Sequence, residues 1–131
     1  MTLLKRLAAT LVLLVALPAF AHAACTATNN TEYSAAIAHG HAYTKHSAEF
    51  VHGKVIDGLA FPDPTIANAD EFATFLLGIM NAPTESKPLA NSRYAYWHTP
   101  TGTVIITNDN ANDCGTAFRP LTGKTYYDNL S

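Results

Sequence analysis

Arg93-Tyr94-Ala95-Tyr96-Trp97-His98-Thr99-Pro100-Thr101-Gly102-Thr103-Val104-Ile105-Ile106-Thr107 reads as strand, turn and strand. Tyr94, Tyr96 and Trp97 crowd the first arm, and every residue from Thr103 to Thr107 is β-branched. Both residue types suit a pleated, half-buried surface. Thr99-Pro100-Thr101-Gly102 supplies the turn between them. This hairpin decides the fold class, because the chain before it follows a different period.

Upstream, Phe72, Phe75, Leu76 and Ile79 recur at i, i+3, i+4 and i+7, the stripe of a helix packed on a core. Asn68, with Glu71 three residues later, opens it in the manner of a capping box. The pattern ends at Asn81, and Pro83 forbids continuation. Earlier still, Thr31 can cap a helix starting at Glu32, Gly40 is a stop or kink, and His41 to His52 resumes helical spacing. Gly53 to Pro64 is a loop in which Val55, Ile56, Leu59 and Phe61 can form a short strand. Pro83 to Asn91 reads as a polar linker. Downstream, Asn108 to Asp113 is a polar loop, Cys114 to Arg119 a third strand, Pro120 to Lys124 a turn and Thr125 to Asp128 a fourth strand. Helices followed by an antiparallel meander give an α+β fold, with N-terminal helices packed on a sheet of about four strands.

The first residues belong to a different kind of segment. Lys5 and Arg6 precede an apolar run from Leu7 to Leu17, and Ala21 and Ala23 stand where signal peptidase wants small residues. Residues 1–23 are therefore expected to be a secretory signal peptide, and 24–131 a single domain. Lipidation of Cys25 is the alternative, against which His22 stands where a lipobox carries Leu. In an oxidising compartment Cys25 and Cys114 most simply form one disulfide, with two unpaired buried thiols as the alternative. Losing Lys5 and Arg6 takes the net charge from −2 to −4. Non-specific nucleic-acid binding through a general basic surface is thereby excluded, and any contact with RNA needs a local patch. Once the leader is removed, no membrane association is expected, and the protein is secreted or periplasmic.

That local patch has a candidate. His39-Gly40-His41-Ala42-Tyr43-Thr44-Lys45-His46 gathers three imidazoles and an ammonium. On a helix His41 and Lys45 share a face, with His46 about 100° further round. Histidines move protons near neutral pH, and a lysine holds phosphate or stabilises developing negative charge. The plainer alternative is a solvated helix face with scattered histidines. A zinc site from His39, His41 and His46 is disfavoured, because i and i+2 do not share a helix face and no carboxylate stands obviously beside them; neither metal nor cofactor is expected. In the sheet, Arg93, Thr116, Arg119 and Tyr126 can contact a substrate, and Tyr94, Tyr96 and Trp97 can stack on bases or fill the core. On a regular strand Thr116 and Phe118 point one way and Ala117 and Arg119 the other.

Taken in order, His41-Ala42-Tyr43-Thr44-Lys45-His46, Asp70-Glu71-Phe72, Asn81-Ala82-Pro83-Thr84, Arg93 to Trp97, Gly102 to Ile106, Gly115-Thr116-Ala117-Phe118-Arg119-Pro120 and Tyr126-Tyr127 resemble the toxic C-terminal domains of bacterial polymorphic and contact-dependent inhibition toxins. The layout is similar to the ribonuclease superfamily that contains barnase, EndoU, colicin D and RelE. The resemblance implies N-terminal helices on a curved four-stranded antiparallel sheet. It implies metal-independent cleavage of RNA, often tRNA, leaving a 2′,3′-cyclic phosphate; RNA and a cognate immunity protein are the candidate partners. By position it implies His41 or His46 as acid and base and Lys45 as phosphate ligand. By the same layout Arg93, Thr116, Arg119 and Tyr126 are candidates for substrate contact and transition-state stabilisation; Tyr96, near Arg93 on the aromatic strand, is a candidate substrate contact by its residue type alone. The alternative is a secreted, non-catalytic binding domain for a protein or small ligand.

Overall fold

The computed structural model describes residues 24–131, so the expected leader lies outside the described residues. The architecture is α+β. Helix α1 (Asn30–Ile37) is followed by a wide turn at Ala38–Ala42, helix α2 (Tyr43–His46) and a 3₁₀ turn at Ser47–Phe50. A two-residue hairpin, β1 (Val55–Ile56) with β2 (Leu59–Ala60), leads into helix α3 (Ala69–Asn81). Strands β3 (Glu85–Leu89), β4 (Arg93–His98), β5 (Thr103–Asn108) and β6 (Gly115–Phe118) form one antiparallel sheet in sequential order, and helix α4 (Lys124–Asp128) closes the chain. Among the described residues no helix is long and apolar enough to cross a membrane.

Helix α3 forms as its spacing predicts. Asn68 accepts from the Glu71 amide at 2.9 Å, and the Glu71 carboxylate accepts from Ala67 N–H at 2.9 Å. These bonds satisfy donors that a helix start leaves orphaned. Phe72, Leu76, Ile79 and Met80 are buried on its inner face. Helix α1 starts earlier than Thr31, because Asn29 rather than Thr31 accepts the Glu32 amide.

Two elements differ from expectation. Thr125–Asp128 lies in helix α4, not in a strand; its Tyr127 ring packs against Trp97, with centroids 6.2 Å apart. Tertiary burial of that one aromatic overrides the β propensity of the tyrosine pair. The fourth strand is instead β3, inside the stretch that reads as a polar linker, paired in register from Glu85↔Trp97 to Leu89↔Arg93. It is an edge strand, where exposed charges and Pro88 are tolerated and discourage pairing with other chains.

Residues opposite one another across a ladder share a face. Tyr96, Ile105 and Ala117 therefore look towards the helices, where they join Ile37, Phe50, Phe61, Phe72, Leu76 and Ile79 in the main core. On the other face Ala95, Trp97, Val104 and Ile106 pack a smaller core with Tyr127, flanked by Phe118. Arg93 and Thr116 belong to this second face.

Cys25 and Cys114 are bonded as a disulfide, Cα to Cα 4.8 Å. Around it the β5–β6 loop is anchored repeatedly to the helical side. Cys25 N–H donates to the Asp109 carbonyl at 3.2 Å, and the Tyr33 hydroxyl donates to the Asp109 carboxylate. That bond, with burial, pushes the Tyr33 hydroxyl up to about 12. Gly115 is forced by this geometry: its φ is +133°, and a Cβ there would stand 2.0 Å from the Ile106 carbonyl oxygen.

Candidate functional site

An open cleft of about 450 Å³ lies on the second sheet face beside β6. His41, Lys45 and His46 form one wall, and Arg93, Asn108, Asp113, Thr116 and Phe118 complete it. Two distant segments thus meet there. They are brought together by packing of the Ala38–Ala42 turn along β6.

Gly40 makes the approach possible. It leaves helical geometry (φ −77°, ψ −138°), and a Cβ at this position would come within 2.6 Å of Asp113 Cβ. Without a side chain at residue 40, Asp113 reaches the next residue, and its carboxylate lies 2.5 Å from His41 Nδ1. A carboxylate can only accept, so Nδ1 carries the hydrogen and Nε2 is the nitrogen left for chemistry. The same relation occurs one helical turn later. His46 Nδ1 donates to Glu49 at 2.5 Å, and the ring is stacked on Phe118 at a centroid distance of 5.3 Å. Two histidine–carboxylate pairs therefore flank one cleft, each with its tautomer and orientation fixed by a carboxylate behind it.

Burial alone would raise the Asp113 carboxyl. The hydrogen bonds from His41 and from the Gly115 amide outweigh it and hold the group below its ordinary value of 3.8. A carboxylate depressed in the native state contributes stability that is complete above its unfolded-state value and is lost as pH falls through the native one. Urea unfolding of the wild type should therefore show a stability loss below about pH 4 that is shallower in Asp113→Asn. Equal slopes for the two proteins at low pH would contradict the bonding described for Asp113.

Two cations serve the cleft. Lys45 is exposed and makes no ion pair among the described residues. Arg93, which lines the cleft, donates from Nε to the Ala90 carbonyl at 3.0 Å and from Nη2 to Ser131 O at 2.9 Å, and these bonds fix the guanidinium. Thr116 lines the cleft from the β6 position opposite Ile106.

Three residues expected in the site are elsewhere. Arg119 is 2 % exposed and faces away from Thr116, as strand alternation requires. Its guanidinium donates to the carbonyls of Thr101 (2.8 Å), Glu49 (2.8 Å), Lys54 (3.0 Å) and Leu59 (2.8 Å). Its own amide donates to Glu49 Oε1 at 2.7 Å. Burial lowers its pKa and the Glu49 charge opposes that. Arg119 is thus a clasp that fastens the β1–β2 hairpin and the β4–β5 turn to the His46 segment, and it positions Glu49 behind His46. Tyr126 lies on α4 with its ring edge-on to Phe118, centroids 5.1 Å apart, beside a second groove and not in the cleft. Tyr96 packs under the helices, where burial raises its hydroxyl pKa.

Glu49 and Asp113 escaped the sequence reading. Glu49 had a usable signal, because it stands three residues after His46 in a helical stretch. Asp113 had none beyond its place next to Cys114. His39 pairs with Asp70 at 2.8 Å, an exposed contact worth little. The three histidines of the segment thus turn to three different carboxylates, and among the described residues no group of three metal-ligating side chains forms.

Comparison of the chain with family models, with curated proteins and with solved structures finds no match.

Proposed function

We propose that the domain is a metal-independent ribonuclease of the toxin type, acting on RNA after export. The observation that carries the reading is the pair of histidine–carboxylate dyads, His41–Asp113 and His46–Glu49, flanking a cleft that also holds Lys45 and Arg93. In the proposed reaction one Nε2 takes the proton of a ribose 2′-hydroxyl. The 2′-oxygen bonds to phosphorus while the P–O5′ bond breaks, and the other Nε2 gives its proton to O5′. A 2′,3′-cyclic phosphate and a 5′-hydroxyl result. Lys45 and Arg93 hold the phosphate and stabilise the extra negative charge of the transition state, and Thr116 offers a hydroxyl donor to a phosphoryl oxygen. The Cys25–Cys114 disulfide favours an oxidising, secreted or periplasmic setting. With its net negative charge the domain engages RNA through this local patch rather than its overall field. Transfer RNA and a cognate immunity protein are the partners this reading carries with it.

Mature protein incubated with total tRNA in EDTA is expected to cleave it. His46→Ala and His41→Ala should each lower the rate by roughly 10²–10⁴-fold, the range of a general acid or base. Cleavage at the wild-type rate in His46→Ala would remove that residue from the mechanism. Absence of cleavage by the wild type, with both substitutions tolerated, would favour the binding-domain alternative.

A further inference from the structure

The cleft does not end at His46. A second groove of about 740 Å³ continues on the far side of the His46–Phe118 stack, and both rings line both hollows. Its character is the opposite of the cleft's. Val55, Leu121 and Tyr126 line it at 60 %, 84 % and 37 % exposure, and these are all but one of the large hydrophobics exposed among the described residues. Lys54, Glu49 and Asp57 also line it, one cation against two carboxylates. The trough therefore has a cationic compartment with Lys45 and Arg93, an imidazole ridge, and an apolar compartment with an exposed tyrosine ring.

We propose that this groove seats the base of the nucleotide that leaves, which makes single-stranded RNA the substrate class of the site described above. The inference rests on the ribonuclease reading for its chemistry. A polynucleotide alternates a charged phosphate with a flat apolar base, and the trough offers cations on one side and an aromatic, aliphatic surface on the other. Base stacking on an aromatic side chain needs an unpaired base, because in a duplex the base faces are already stacked and withheld. With the scissile phosphate beside Lys45 and Arg93 and the following base across Tyr126 and Leu121, the ester oxygen between them lies at the ridge. His46 then serves the departing 5′-oxygen as acid, and His41 serves the attacking 2′-hydroxyl as base. Val55 and Leu121 are exposed in a way that neither core explains; a base against them removes that apolar surface from water.

Two substrates separate this from a general loss of function. An oligoribonucleotide has a leaving nucleoside; a 2′,3′-cyclic mononucleotide, hydrolysed by the reverse use of the same histidines, has none. Tyr126→Ala and Leu121→Asp should each lower kcat/KM for the oligonucleotide about ten-fold relative to kcat/KM for the cyclic mononucleotide, as expected for one stacked base. Equal losses on the two substrates, or none, would overturn the proposal; no loss would return the groove to a protein-docking surface. Binding of a 2′-deoxy-substituted single strand, followed by fluorescence anisotropy, gives a readout that does not depend on catalysis. The wild type should bind it about ten-fold more tightly than Tyr126→Ala, and more tightly than the same sequence in a duplex. If no RNA is cleaved yet this binding difference holds, the ribonuclease chemistry fails while the base seat stands. If RNA is cleaved and the difference is absent, the base seat fails alone.

Discussion

Arg119→Ala is expected to remain largely unfolded at 25 °C, read by Trp97 fluorescence in urea titration against the wild type. The guanidinium satisfies four main-chain carbonyls from three separate segments, at 2.8–3.0 Å. Hydrogen bonds to a charged group contribute roughly 1.5–3 kcal/mol each, and a carbonyl left buried without a partner costs about 1–3 kcal/mol. Even the low end summed over four contacts gives about 6 kcal/mol, within reach of the entire 5–15 kcal/mol that holds an ordinary domain together. Arg119→Lys should recover less than half of the loss. An ammonium is a point charge with three donors and cannot span carbonyls spread over the fork of a guanidinium. The Arg119 side chain also lies against the Phe61 ring, 5.4 Å from its centroid, so Phe61 loses its cover in both variants. A stability change below about 1 kcal/mol in Arg119→Ala would show that water or neighbouring groups satisfy those carbonyls instead.

Removal of the disulfide has the second large effect. The bridge joins residues 89 apart, and a loop of that length reduces the entropy of the unfolded chain by an amount equivalent to roughly 4–5 kcal/mol. Scanning calorimetry of the Cys25→Ser, Cys114→Ser double variant should show a melting temperature lower by about 15–30 °C for a domain of this size. The local consequence is separate. Cys114 stands between Asp113 and Gly115 with φ +67°, a conformation uncommon for a side-chain-bearing residue. Freed from Cys25, the loop loses its covalent tie to the N-terminal segment and is held by hydrogen bonds, among them those of Asp113 to His41 and to the Gly115 amide and those of Asp109. A melting temperature within a few degrees of the wild type would mean that the reduced, unfolded chain is already compact.

The main elements were legible because each repeats at its own period. Phe72, Phe75, Leu76 and Ile79 could only be one face of a helix, and Thr103 to Thr107 could only be extended. Strand β3 left no such trace. Glu85, Ser86 and Pro88 face solvent at an edge, where selection acts against looking like a strand. Helix α4 was hidden for the opposite reason: Tyr126 and Tyr127 advertise β, and what they obey is a contact with Trp97 and Phe118 that sequence spacing does not contain. In the site, Thr116 and Arg119 were both candidates, although strand alternation already set them on opposite faces. The destination of Arg119 was invisible, since all four of its acceptors are main-chain atoms at least 18 residues away. His41 was conspicuous in the sequence and its partner Asp113, 72 residues on, was one acidic residue in a polar loop.

The Cys25–Cys114 bridge encloses most of the chain in a covalent ring, and the two walls of the cleft come from opposite sides of the Lys54 hairpin along the chain. A single proteolytic cut in the exposed hairpin around Lys54 would divide the backbone into one fragment carrying His41, Lys45 and His46 and another carrying Arg93, Asp113 and Thr116. Under oxidising conditions these fragments stay one molecule. Their re-docking is then an intramolecular event at high effective concentration, independent of dilution. A nicked protein accordingly keeps both walls of its cleft together until a reductant reaches the bridge, and only then does the cut become a separation.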